Sequence, residues 1–234
     1  MNTTTNILAV VAGILYPIYC AISTLQSAKR ITKDEKYRLG DYFRTIFVFW
    51  ALTILIVINF YIFKQPTLNF YPKITLINLL LIVLVFSFAI LQYRSGGKIT
   101  INDVQNVREK LKDIYYYLPK THKELVVFIL ISLSAGVCEE IIFRLFLFHF
   151  LNEYLYTIGA IVLTNLIFTF THIGSGKSNL IFSFILGLLF STLYYYTNNI
   201  WIAVLLHISI DINVGILGYK LSVLENTILN KIAN

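Results

Sequence analysis

The chain has 234 residues, of which 57% are hydrophobic and 13% charged, with a net charge of +7. Soluble domains carry roughly 25% charged residues, so an ordinary water-soluble fold is excluded. Lipid admits only helices or closed barrels, and the apolar runs here are long and unbroken, without the short alternating segments of a barrel. The fold class is therefore all-α, a polytopic membrane helical bundle.

Residues 1–6 are polar and uncharged, and residues 7–25 form the first span, in which Pro17 predicts a kink. A cleavable signal would start with basic residues and end at a small-residue exit site; both signals are missing, so the span is read as retained. Residues 29–44 hold Lys29, Arg30, Lys33, Lys36, Arg38 and Arg44. A second span covers 45–63, a loop with two prolines covers 64–73, and a third span covers 74–93. The longest polar segment, 94–123, repeats Ile101, Val104, Val107, Leu111, Ile114 and Leu118 at helical spacing, with Thr100 and Asp103 placed to cap its start. This predicts an amphipathic helix, either on the membrane surface or packed on neighbouring loops. Four more apolar segments follow, 125–151, 158–173, 180–196 and 200–219, giving about seven transmembrane helices. The weakly apolar stretch 221–233 leaves room for an eighth.

The expected organisation is a three-span scaffold with charged cytoplasmic loops (1–123), a four-span catalytic core (124–220) and a cytoplasmic tail (221–234). With the N-terminus outside and the C-terminus cytoplasmic, sixteen of the nineteen Lys and Arg fall on the inner side. Lys64 and Lys73 fall outside, and Arg144 lies within the membrane. That distribution obeys the positive-inside rule and predicts a multi-pass protein of the cell membrane. It also explains the basic charge through topology and anionic lipid, so no nucleic-acid partner is expected. Cys20 and Cys138 each lie in an apolar run and form no disulfide or zinc-finger pattern. The sequence Gly174-Ser175-Gly176-Lys177-Ser178 resembles the end of a phosphate loop, but Thr171 stands where the first glycine belongs and no strand precedes it. No nucleotide is expected.

Candidate chemistry is confined to the second half. Glu139, Glu140, Arg144, His149, His172, His207 and Asp211 are the ionisable side chains inside its spans, cysteine and tyrosine aside. A charge at mid-bilayer costs several kcal/mol, so such residues mark functional sites by default. Glu140 and Arg144 are four apart with Glu first, the favourable order for an ion pair on one helical face. Glu139 is turned about 100 degrees away, free to face a wet cavity as a general base; a second partner for Arg144 is the alternative. Phe168 and His172 share a helical face, as do His207 and Asp211. His149 has no obvious partner and reads as interfacial. Two chemistries fit. Glu139, His172, His207 and Asp211 could hold a zinc ion with an activated water. Alternatively Glu139 and His172 hold the water unaided while His207 donates to an oxyanion. A His-Glu-x-x-His motif is missing, which weakens the standard zinc-protease reading.

Taken together, Glu139-Glu140-x-x-x-Arg144, Phe168-x-x-x-His172 and His207-x-x-x-Asp211 resemble, in order, the three motifs of the CPBP family of intramembrane endopeptidases. These are the CAAX-protease and bacteriocin-processing proteins, also called Abi. The resemblance covers residues 125–219. It implies a membrane endopeptidase whose water-filled cavity opens toward the cytoplasm and whose substrate is a small peptide or membrane protein. It further implies that Glu139 and His172 activate water, that His207 and residue 211 line the oxyanion site, and that Glu140 and Arg144 belong to the motif. Many members carry Asn where this chain has Asp211. A carboxylate does not donate to an oxyanion unless protonated, so Asp211 would orient His207 or ligate a metal, with Asn165 or Asn213 supplying the donor. A non-catalytic membrane partner, such as a bacteriocin-immunity or scaffold protein, is the rival reading. A proton-coupled transporter fits less well, because the chain is short and shows no inverted repeat.

Overall fold

The computed structural model describes residues 2–63, 70 and 74–233. The first apolar run becomes α1 (Thr3–Val10), a π-helical turn (Val11–Leu15) and α2 (Tyr16–Lys33), continuous over 31 residues. The π turn ends just before Pro17, which lacks an N–H and whose ring would crowd the carbonyl of Gly13 four residues back. Widening the preceding turn accommodates the ring, so the expected kink takes the form of a π bulge. Next come α3 (Tyr37–Phe63) and α4 (Leu76–Gly97), the latter capped by the Thr75 side chain. Most of the two-proline loop lies outside the described residues.

The amphipathic segment is shorter than its periodicity predicts. A 3-10 turn (Ile101–Asp103) opens on the expected Thr100–Asp103 capping box, and α5 (Val104–Leu111) ends there. Residues 112–118 continue as turns, and Ile114, Tyr115 and Tyr117 pack around Tyr42, Leu118, Val127 and Phe128. Burial of these aromatic side chains against α3 and the following helix outweighs propagation of a surface helix.

The second half comprises α6 (His122–Glu140), a second π-helical segment (Ile141–Leu147), α7 (Phe148–Asn152), α8 (Thr157–Phe170), α9 (Lys177–Thr197) and α10 (Ile200–Ala233). Six helical stretches are long and apolar enough to cross a membrane, and α8, with 14 residues, is the short seventh. The chain is thus a multi-pass, all-helical membrane protein. Residues 221–233 continue α10 and form no separate span.

α6 packs chiefly against α3 and α10. A Cβ on Gly136 would stand 2.4 Å from an Ile208 side-chain carbon; the glycine lets the α6 and α10 backbones approach. The stretch 132–136 therefore does not break its helix. At the start of α6, Glu124 closes a capping box with Thr121 and accepts from Arg38 at 2.8 Å. Arg38 is 1% exposed and also donates to the Tyr116 carbonyl. A residue that the sequence places in a charged loop is thus a buried staple between α3 and α6.

Candidate active site

The end of α6 is where the charges gather. Helical geometry puts Glu139 and Glu140 on different faces, and the π segment that follows carries Arg144. Arg144 Nη1 lies 3.1 Å from Glu140 Oε1, as the spacing predicts. Both side chains are buried, at 1% and 0% exposure, and neither lines the cavity described below. Arg144 also donates to the Gly187 carbonyl of α9 at 3.0 Å and packs against the rings of Phe168 and Phe190. One guanidinium therefore ties the π segment to α8 and α9.

Glu140 does more than neutralise Arg144. The same oxygen, Oε1, lies 2.9 Å from His207 Nδ1 of α10. An ionised carboxylate only accepts, so Nδ1 is assigned the proton. The other ring nitrogen, Nε2, is then directed at Glu139 Oε2 (3.6 Å) and Asp211 Oδ2 (3.7 Å). Phe190 stacks on the imidazole at a centroid distance of 5.0 Å and fixes its plane.

Glu139, His172, His207 and Asp211 all line one cavity of about 320 Å³. His172 reaches it because α8 is short: 14 residues rise only ~21 Å, less than the ~30 Å hydrocarbon core. Its C-terminal turns, 171–175, are irregular backbone, which a membrane protein tolerates where it lines a cavity. Thr171, His172 and Ser175 do line it. Straight, full-length helices would strand His172 at the surface, far from Glu139; the short helix removes that mismatch. The Phe168 ring lies 5.0 Å from the His172 ring and 6.4 Å from the His207 ring, bridging the two histidines. His172 Nδ1 lies 3.2 Å from the Phe168 carbonyl and 2.9 Å from the Thr171 hydroxyl, which leaves Nε2 uncommitted to either.

The tetrad shares the cavity wall without converging on one point. Among the described residues, no group of three or more His, Cys, Asp or Glu is arranged to hold a metal ion. His207 Nε2 stands 3.6 Å from Glu139 and 3.7 Å from Asp211, the spacing of loose ion pairs. The amides considered as donors are engaged elsewhere: Asn165 donates to the Phe184 carbonyl at 3.0 Å and Asn213 to Gln92 at 2.9 Å. Neither lines the cavity. His149 also differs from its sequence reading, because its Nε2 pairs with the Tyr194 hydroxyl at 2.7 Å. The phosphate-loop lookalike is the connection from α8 to α9. Gly176 there has φ +92°, and a Cβ would run into the Asp113 side chain.

The cavity wall also includes residues that motif spacing does not signal. Tyr16, Tyr19, Cys20, Ser23 and Ser27 come from the first span, Thr45 and Phe49 from the second, and Ile114, Tyr116, Tyr117 and Leu118 from the connector. The only hint in the sequence is Pro17, which forces the π turn immediately before Tyr16.

Residues 121–213 match the family model described as Type II CAAX prenyl endopeptidase Rce1-like. This segment contains all three motifs, so the second half of the chain is similar to the CAAX-protease family. No curated protein and no solved structure matches the chain.

Proposed function

We propose that the protein is an intramembrane endopeptidase that hydrolyses a peptide bond in a small peptide or membrane-associated substrate through a Glu/His-activated water. One observation carries the reading. Of two adjacent glutamates, Glu140 is consumed by Arg144 and His207, while Glu139 faces a cavity shared with His172 and His207. Glu139 is thereby the available base.

In this mechanism His172 Nε2 and the Glu139 carboxylate hold a water between them. Glu139 takes a proton from it as the oxygen bonds to the scissile carbonyl carbon and the carbonyl π pair moves onto its oxygen. His207, with Nδ1–H on Glu140, donates from Nε2–H in its imidazolium form to that oxyanion. The C–N bond then breaks, the carbonyl re-forms, and Glu139 returns the proton to the leaving amine. Glu140 and Arg144 hold His207 and the helices around it in register, and Asp211 keeps Nε2 directed into the cavity.

The cavity also reaches Ser27, Thr45, Tyr116 and Ser175, all beside the basic loops. The positive-inside rule assigns that side to the cytoplasm, so we place the N-terminus outside, the C-terminus inside and substrate entry from the cytoplasmic face.

Glu139→Gln keeps size and polarity but removes the base. It is expected to lower cleavage by about 10²–10⁴-fold, the usual contribution of general acid–base catalysis, with expression and unfolding unchanged. Cleavage at the wild-type rate would remove Glu139 as the base, and a wild type that cleaves no peptide would favour the non-catalytic membrane partner instead.

A further inference from the structure

The family motifs leave the oxyanion one donor short. Asp211 is a carboxylate, and the amides of Asn165 and Asn213 are both spent on other partners outside the cavity. The cavity wall supplies a substitute from a different part of the chain. Tyr16 is 4% exposed, lines the cavity, and its hydroxyl has no oxygen or nitrogen partner, only the Cys20 thiol beside it. Leaving a buried hydroxyl unpaired is destabilising, and a bound acceptor would relieve it. Cys20, one helical turn on, is beside the hydroxyl, and a thiol is only a weak partner. Glu139 is within electrostatic reach of both Tyr16 and Cys20.

The placement of Tyr16 is built into the fold. The first π turn ends at Leu15 and re-aims the next residue, and it packs against the second π segment, the one that follows Glu139 and Glu140. The Tyr16 ring is braced by Phe143 of that segment at a centroid distance of 6.3 Å. The aromatic ring is thus held by packing, while its hydroxyl is left without an oxygen or nitrogen partner at the cavity wall. Tyr16 has a donor hydroxyl and only two side-chain torsions to freeze, which suits a preorganised site.

We propose that Tyr16 is a catalytic residue: its hydroxyl donates a hydrogen bond to the carbonyl oxygen of the scissile peptide bond, as the second oxyanion donor beside His207. No proton leaves the phenol; the bond shortens as negative charge develops on the oxygen. The inference rests on the endopeptidase reading. It assigns the N-terminal half a direct part in chemistry otherwise carried by the second half.

The test uses full-length protein in liposomes with a panel of fluorogenic peptides, farnesylated at a CAAX-type cysteine or unmodified. Kinetics are measured on whichever peptide the wild type cleaves. Tyr16→Phe keeps the ring against Phe143 and removes only the donor. Its kcat is expected to fall about 10²–10³-fold with KM nearly unchanged and the unfolding midpoint preserved. Tyr16→3-fluorotyrosine, a stronger donor, is expected to raise kcat, a response that ring packing alone would not produce. A Tyr16→Phe kcat within about threefold of wild type, while Glu139→Gln is inactive, overturns the role of Tyr16 and leaves the endopeptidase reading intact. A wild type inert on the whole panel, or a fully active Glu139→Gln, overturns both.

Discussion

α6 carries a buried arginine–glutamate pair at each end, and the two pairs are built differently. At its start, Glu124 uses both oxygens: Oε1 meets Arg38, while Oε2 takes the backbone N–H groups of Lys120 and Thr121. Arg38 in turn is occupied by Glu35, Glu124 and the Tyr116 carbonyl. At its end, Glu140 Oε1 serves Arg144 and His207 together, while Glu140 Oε2 and Arg144 Nε have no partner. Buried polar groups are nearly always satisfied, and exceptions concentrate where a site performs a task. The first pair is a saturated structural staple. The second is an unsaturated one, and its spare capacity lies beside the groups that face the cavity.

Breaking the second pair should cost most. Arg144→Met leaves Glu140 charged and uncompensated in the bundle core, and removing one partner of a buried pair typically costs about 3–5 kcal/mol. Unfolding by denaturant in detergent micelles would measure it. The double change Glu140→Gln with Arg144→Met should recover part of that stability, because no carboxylate is left without its arginine while His207 returns to the neutral imidazole. Cleavage should stay lost, because His207 no longer has an anionic partner at Nδ1. Recovery of cleavage in the double variant would reduce Glu140 to a counterion.

The first pair should tolerate damage better. Glu124→Gln keeps the capping geometry and removes one charge, with an expected loss of about 1.5–3 kcal/mol, the range for hydrogen bonds to charged groups. KM and kcat of the folded fraction should stay near wild type. A selective fall in kcat would show that the staple tunes the site from the far end of α6.

The smallest expected effect lies in the connector. Burial lowers the Lys120 ammonium from its ordinary 10.5 to about 8, with Arg38 and Arg108 nearby acting in the same direction and Glu225 and Glu35 opposing. A base with a depressed folded-state value destabilises the fold while both states are protonated, and that penalty fades as pH rises from about 8 through 10.5. Unfolding followed against pH should show a modest gain in stability across this window, and Lys120→Met should flatten it. An equal gain in Lys120→Met would trace the effect to another group.

The first half of the chain shows how hydropathy can be right about the frame and silent about the wall. Its spans hold no acidic, basic or histidine side chain at mid-membrane, yet Tyr16, Cys20, Thr45 and Phe49 face the same cavity as Glu139. Nothing in their spacing distinguishes them from lipid-facing neighbours such as Ile14 and Phe47, which are exposed. Periodicity assigns a helix but not its rotation when every face is apolar.

The sequence by itself determined the class, the apolar helices, the Thr100–Asp103 cap and the Glu140–Arg144 pair, because each depends on run length or on neighbours within a turn. Only the tertiary structure decided the contacts between helices. Glu140 meets His207 across 67 positions, and the short α8 brings His172 to the cavity. Pro17 announces a distortion, but the direction in which it aims Tyr16 depends on Phe143 packed against it. The physical reason is common to all three. Helical hydrogen bonding is local and can be read along the chain, whereas close packing joins faces of distant helices whose partners no local pattern specifies.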